Sequence, residues 1–101
     1  MDKVQIEWGD LDRTEAIEQE VFEKAEKILN YSPNATNLVV HFKIVNPKTS
    51  AGRSIQSVSM EVRLPGHQDV RSQKEGDDLY RSIKEAQKAV LIQLESKQNR
   101  N

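Results

Sequence analysis

Leu38-Val39-Val40-His41-Phe42-Lys43-Ile44-Val45 is the stretch that decides the fold. Leu38, Val40, Phe42 and Ile44 alternate with Val39, His41, Lys43 and Val45, the period-two pattern of a strand that buries one face. The strand ends at Asn46-Pro47, and Lys48 to Gly52 read as a loop. Beyond the loop, Val58, Met60, Val62 and Leu64 form the inward set of another strand. Pro65-Gly66 closes it, since proline fixes one dihedral and glycine allows positive φ. Val70 and Ser72 suggest a weaker strand after that turn. Upstream, Val4, Ile6 and Trp8 alternate with Lys3, Gln5 and Glu7, and Gly9-Asp10 breaks this first strand.

Two helices complete the order. Asp12-Arg13-Thr14-Glu15 has capping-box spacing, with Thr14 as an alternative cap, ahead of Ile17, Val21, Ala25 and Ile28 at helical intervals. A helix over about residues 13 to 30 is expected, stopping before Ser32-Pro33-Asn34 because proline disfavours the helical conformation of its predecessor. Gly76-Asp77-Asp78 opens the last helix, whose apolar positions are Leu79, Ile83, Ala86, Val90 and Leu94. The expected fold is α+β, order β-α-β-β-β-α: a four-stranded sheet with two helices packed on one face. Residues 1–96 form the single domain, and Lys97 to Asn101 read as a short tail. The other sheet face should show Lys3, Gln5, Glu7, His41, Lys43, Glu61, Arg63, Asp69 and Arg71, without an aromatic ring. Stacking of bases on the sheet is therefore not expected.

The 101 residues carry 15 Lys plus Arg and 16 Asp plus Glu, a net charge of -1. That length fits one domain. The near-zero total hides an uneven distribution: residues 1 to 30 are acidic, residues 31 to 74 are basic, and the balance is basic again from Arg81 onward. An anionic partner is thus compatible with the sequence. No long apolar run and no basic leader with an apolar stretch occurs, so neither a membrane span nor a signal peptide is expected. Zero cysteines exclude disulfides, thiolate metal sites and cysteine nucleophiles, and fit a cytoplasmic location.

Reactive constellations are missing. His41 and His67 lack metal-ligand spacing, and no cofactor or metal is expected. Asp77 and Asp78 read as acidic residues favouring a helix start rather than as an acid-base pair. No nucleophile elbow, phosphate loop or dinucleotide fingerprint occurs. The reading is not an enzyme.

Three segments carry a resemblance: Tyr31-Ser32-Pro33-Asn34-Ala35-Thr36-Asn37, Leu64-Pro65-Gly66, and Glu75-Gly76-Asp77-Asp78-Leu79-Tyr80. In this order and spacing the chain resembles the bacterial ribosome hibernation factors, also called ribosome-associated inhibitors or sigma-54 modulation proteins. The likeness covers nearly the whole chain, in a short form without the C-terminal dimerisation domain of longer members. It implies a non-enzymatic factor that docks on the small ribosomal subunit, occupies the decoding region and silences translation under stress. It also implies that basic side chains on the two helices contact 16S-type ribosomal RNA: Lys24 and Lys27 on the first, and Arg81, Lys84 and Lys88 on the second. Lys48, Arg53 and Lys97 stand at the margins. Three departures accompany the match in the second helix, where Ala89, Ile92 and Ser96 replace bases that the resemblance would place there. Glu18 likewise stands where some members carry arginine.

A second reading keeps the fold but not the ribosome. Glu15, Glu18, Glu20, Glu23 and Glu26 give the first helix an acidic surface suited to a basic partner. Phe22 and Leu29, off the main apolar stripe, and Ile92 could form an apolar edge for a protein partner or for self-association. The simpler account of Phe22 and Leu29 is that they widen the buried stripe.

Overall fold

The computed structural model describes residues 2–46, 54–66 and 68–98. The elements are β1 (Val4–Glu7), α1 (Glu15–Tyr31), β2 (Asn37–Asn46), β3 (Ile55–Arg63), β4 (Val70–Gly76) and α2 (Leu79–Gln98). They form one mixed sheet in the order β1-β2-β3-β4. β1 pairs parallel with β2, while β2-β3 and β3-β4 pair antiparallel. The β-α-β-β-β-α order and the antiparallel run from β2 to β4 are as the alternation in the sequence requires. The loop expected at Lys48 to Gly52, and His67, lie outside the described residues.

α1 returns the chain between two parallel strands, so it runs opposite to both. α2 folds back after β4, which points the same way as β2. The two helices therefore lie side by side in the same direction. One core joins them to the sheet: Leu38, Val40, Phe42, Val58, Met60 and Val62 from the strands, Val21, Ala25 and Ile28 from α1, and Ile83, Ala86, Val90 and Leu94 from α2, all buried. Each larger side chain in this set contributes about 1.5–3 kcal/mol through burial. Trp8 lies against Phe42 with ring centroids 5.3 Å apart.

Local chemistry sets the boundaries. Thr14 is the N-cap of α1, its Oγ1 accepting the Ile17 N–H at 3.2 Å, so the Thr14 alternative holds rather than the Asp12 capping box. The helix runs to Tyr31, one residue past expectation, because Pro33 restricts only its immediate predecessor, Ser32, which is the C-cap. Gly9 has φ +58, and a Cβ there would lie 2.6 Å from the Phe42 carbonyl oxygen, so only glycine fits beneath β2. Asp78 accepts the Arg81 N–H at 3.2 Å and thereby caps α2. At its other end α2 includes Lys97 and Gln98, two residues beyond the expected start of the tail.

Candidate functional site

The groove between α1 and α2 collects most of the basic residues singled out in the sequence. Its floor is set by Gln87, a buried polar residue whose Nε2 donates to the Lys24 main-chain oxygen at 3.2 Å. With about 100° per residue, Lys24 and Lys27 lie on the flank of α1 that faces this bond, with Glu20 and Tyr31. On α2 the same step puts Lys84 on the flank turned to α1, beside Gln87 and Leu91, and Lys88 next to it on the outer, solvent-facing side. Lys27, Lys84 and Lys88 are exposed, and among the described residues none is ion-paired.

Lys24 behaves differently. Its side chain is only 13% exposed, and its ammonium lies 3.1 Å from Glu20 and 3.9 Å from Glu23. Its charge is largely answered within α1 itself. The Glu20-Lys24 spacing of four is the sequence signal that marks such a pair. Arg81 is exposed but sits one turn before Lys84, at the N-terminal end of α2 beside Asp77 and Asp78. Lys97 is half-buried in the last turn of α2. Lys48 and Arg53 lie outside the described residues. Sequence reading missed Gln87 and Tyr31 as neighbours of this groove; the buried glutamine within an apolar stripe was the available cue for Gln87.

The departures from the family pattern fall elsewhere. Ala89, Ile92 and Ser96 lie on the outer and β4-side flanks of α2, away from α1, and Ile92 is 66% exposed. Their lack of charge leaves the groove cations in place. Glu18, for its part, is held by Arg13 at 2.7 Å.

On the open sheet face several of the charges are paired. Arg71 meets Glu61 at 2.8 Å, and Arg63 lies 3.7 Å from the same carboxylate. His41 Nδ1 lies 2.9 Å from Glu7, and the strand register puts Ser59 on the other side of His41. This Glu7-His41-Ser59 row resembles a hydrolytic triad only in composition, because no side-chain hydrogen bond joins the His41 ring to the Ser59 hydroxyl. Among the described residues no group of three or more His, Cys, Asp or Glu could hold a metal ion. No described helix is long and apolar enough to cross a membrane.

The fold is a mixed four-stranded sheet backed by two parallel helices. The chain belongs to the sigma 54 modulation protein / S30EA ribosomal protein family, whose pattern matches residues 4–101. A ribosomal subunit interface protein from Coxiella burnetii has a similar fold, with a TM-score of 0.79 and 21% identity over 96% of this chain and 98% of that one. The N-terminal domain of Thermus thermophilus Protein Y is similar at a TM-score of 0.69 and 25% identity, covering 90% of this chain and 91% of that domain. Among curated proteins no sequence matches.

Proposed function

We propose that this protein is a non-enzymatic ribosome-binding factor that docks on the decoding region of the small subunit and inhibits translation during stress. Family membership supports the ribosome as partner. The observation that supports the finer reading is the set of Lys27, Lys84 and Lys88, exposed and, among the described residues, unpaired, along and beside the groove between two helices joined by Gln87. Such ammonium groups bind phosphates by releasing counterions, and two helices fixed side by side present them as an array rather than singly. Location in the cytoplasm follows from that partner. Lys24 serves this array less than its sequence position implies, because Glu20 and Glu23 already hold it.

The self-association reading that rested on Phe22 and Leu29 loses part of its support, since Leu29 packs against the core and Phe22 is half-buried. Sedimentation of purified small subunits with the protein through a sucrose gradient tests the ribosomal reading. Co-sedimentation and inhibition of cell-free translation are expected, and both should be lost when Lys27, Lys84 and Lys88 are changed together to Glu. Undiminished co-sedimentation of that variant removes the groove from the mechanism.

A further inference from the structure

The free edge of β4 has a direction that can be worked out bond by bond. The Leu38 N–H donates to the Lys3 carbonyl at 2.8 Å, so Leu38 and every second residue after it turn their main-chain groups toward β1. Val39, His41 and Lys43 then face β3. Carried across the register, Val58, Met60 and Val62 exchange bonds with Lys74, Ser72 and Val70. The main-chain N–H and C=O groups of Arg71, Gln73 and Glu75 therefore point out of the sheet. The Arg71 carbonyl accepts Gln93 Nε2 at 2.6 Å. Among the described residues nothing occupies the outward groups of Gln73 and Glu75. β4 is the longer of the two edges, seven residues against four in β1. An open edge of that length is a template for another strand.

We propose that β4 is the seam of a two-fold symmetric dimer in which two copies of this chain pair antiparallel about Gln73, joining their sheets into one of eight strands. The side chains on the edge select this partner. Pairing about Gln73 sets Arg71 opposite the partner's Glu75, and Glu75 opposite the partner's Arg71, on the open face. Both are outward-facing positions of the edge, so the register sets outward groups against outward groups once Gln93 yields the Arg71 carbonyl to the N–H of the partner's Glu75. Among the described residues Glu75 has no ion pair, while Arg71 holds Glu61 and would lie between two carboxylates in the dimer.

The helix layer permits the same seam. α2 packs over both β3 and β4. With strands about 4.8 Å apart, the two copies of α2 come to lie about 10 Å apart across the axis, a normal helix-packing distance. The flank of α2 on that side holds Glu85, Ala89, Gln93 and Ser96, with exposed Ile92 on its shoulder. Two of the three positions at which the resemblance would place bases, Ala89 and Ser96, are thus uncharged where two helices would otherwise repel. The α1-α2 groove lies on the opposite flank, so the dimer does not rest on the ribosomal reading and leaves both grooves open.

Sedimentation equilibrium of the free protein over a concentration series tests this directly. The parent is expected to be dimeric. Glu75→Arg and Arg71→Glu should each weaken the dimer about tenfold or more, since each sets like charges opposite one another twice. An equimolar mixture of the two variants should recover dimers, because every mixed contact again pairs opposite charges. Gln73→Pro should also give monomers, with circular dichroism unchanged, as an outward edge N–H can be lost without breaking the sheet. A monomeric parent overturns the proposal. So does a dimer that persists equally in Glu75→Arg and Gln73→Pro.

Discussion

Removing the groove lysines one at a time should count the phosphates that the protein touches. Lys27, Lys84 and Lys88 are exposed and, among the described residues, unpaired, so each can replace a counterion on RNA. A neutralised phosphate contact adds about 0.7–0.9 to the slope of log affinity against log salt. Between about 50 and 200 mM monovalent salt, each such contact is worth about a threefold change in affinity, and all three together about 30-fold. Lys27→Gln, Lys84→Gln and Lys88→Gln should therefore each flatten the slope by somewhat less than one unit. Lys24→Gln should leave the slope nearly unchanged, because Glu20 at 3.1 Å and Glu23 at 3.9 Å already neutralise that ammonium. Filter binding to purified small subunits at fixed magnesium and varied potassium provides the slopes. If Lys24→Gln flattens the slope as much as Lys27→Gln does, or if the triple glutamine variant keeps the parent's slope, the assignment of free and answered charges is wrong.

The remaining predictions concern the scaffold and the charge balance of the groove. Glu20→Gln should release Lys24 toward solvent, tightening subunit binding at low salt and steepening its salt slope by up to about one unit. Gly9→Ala should destabilise the fold by about 2 kcal/mol or more in urea unfolding, since the added Cβ meets the Phe42 carbonyl at 2.6 Å while φ stays positive. Phe42→Ala should cost about 3–5 kcal/mol in the same assay, because the ring is 1% exposed and removing it also strips the partner from Trp8. Ile92→Lys should change monomer stability by no more than about 0.5 kcal/mol, as that side chain is 66% exposed.

Most of the architecture could be read from alternation alone. β2 and β3 bury every second residue, and a helix-length segment between β1 and β2 leaves room for a parallel pairing. β4 was harder to see because Val70 is its only buried apolar residue. Ser72 replaces an apolar contact with a hydrogen bond, its hydroxyl donating to the Ala86 carbonyl at 2.9 Å, and periodicity of hydrophobic residues cannot register that. The helix start was ambiguous for a related reason: Asp12 and Thr14 are both good caps, and the choice falls to Thr14 only after Leu11 turns inward on a bond from its N–H to the Trp8 carbonyl. The basic residues of the helices were visible as residue types, but their state of pairing was not. Lys24 and Lys27 look equivalent in the sequence, whereas one is gripped by carboxylates of its own helix and the other projects freely.

Gln87 has a mechanical consequence. Its amide clasps the backbone of the opposite helix rather than a side chain, so the spacing of α1 and α2 at this point depends on one buried side-chain rotamer rather than two. The lysines above it are thereby mounted on a single stiff frame, like the jaws of a fixed gauge. A surface built that way discriminates by the spacing of the anions offered to it, and a flexible polyanion that must first be straightened forfeits part of its affinity in doing so.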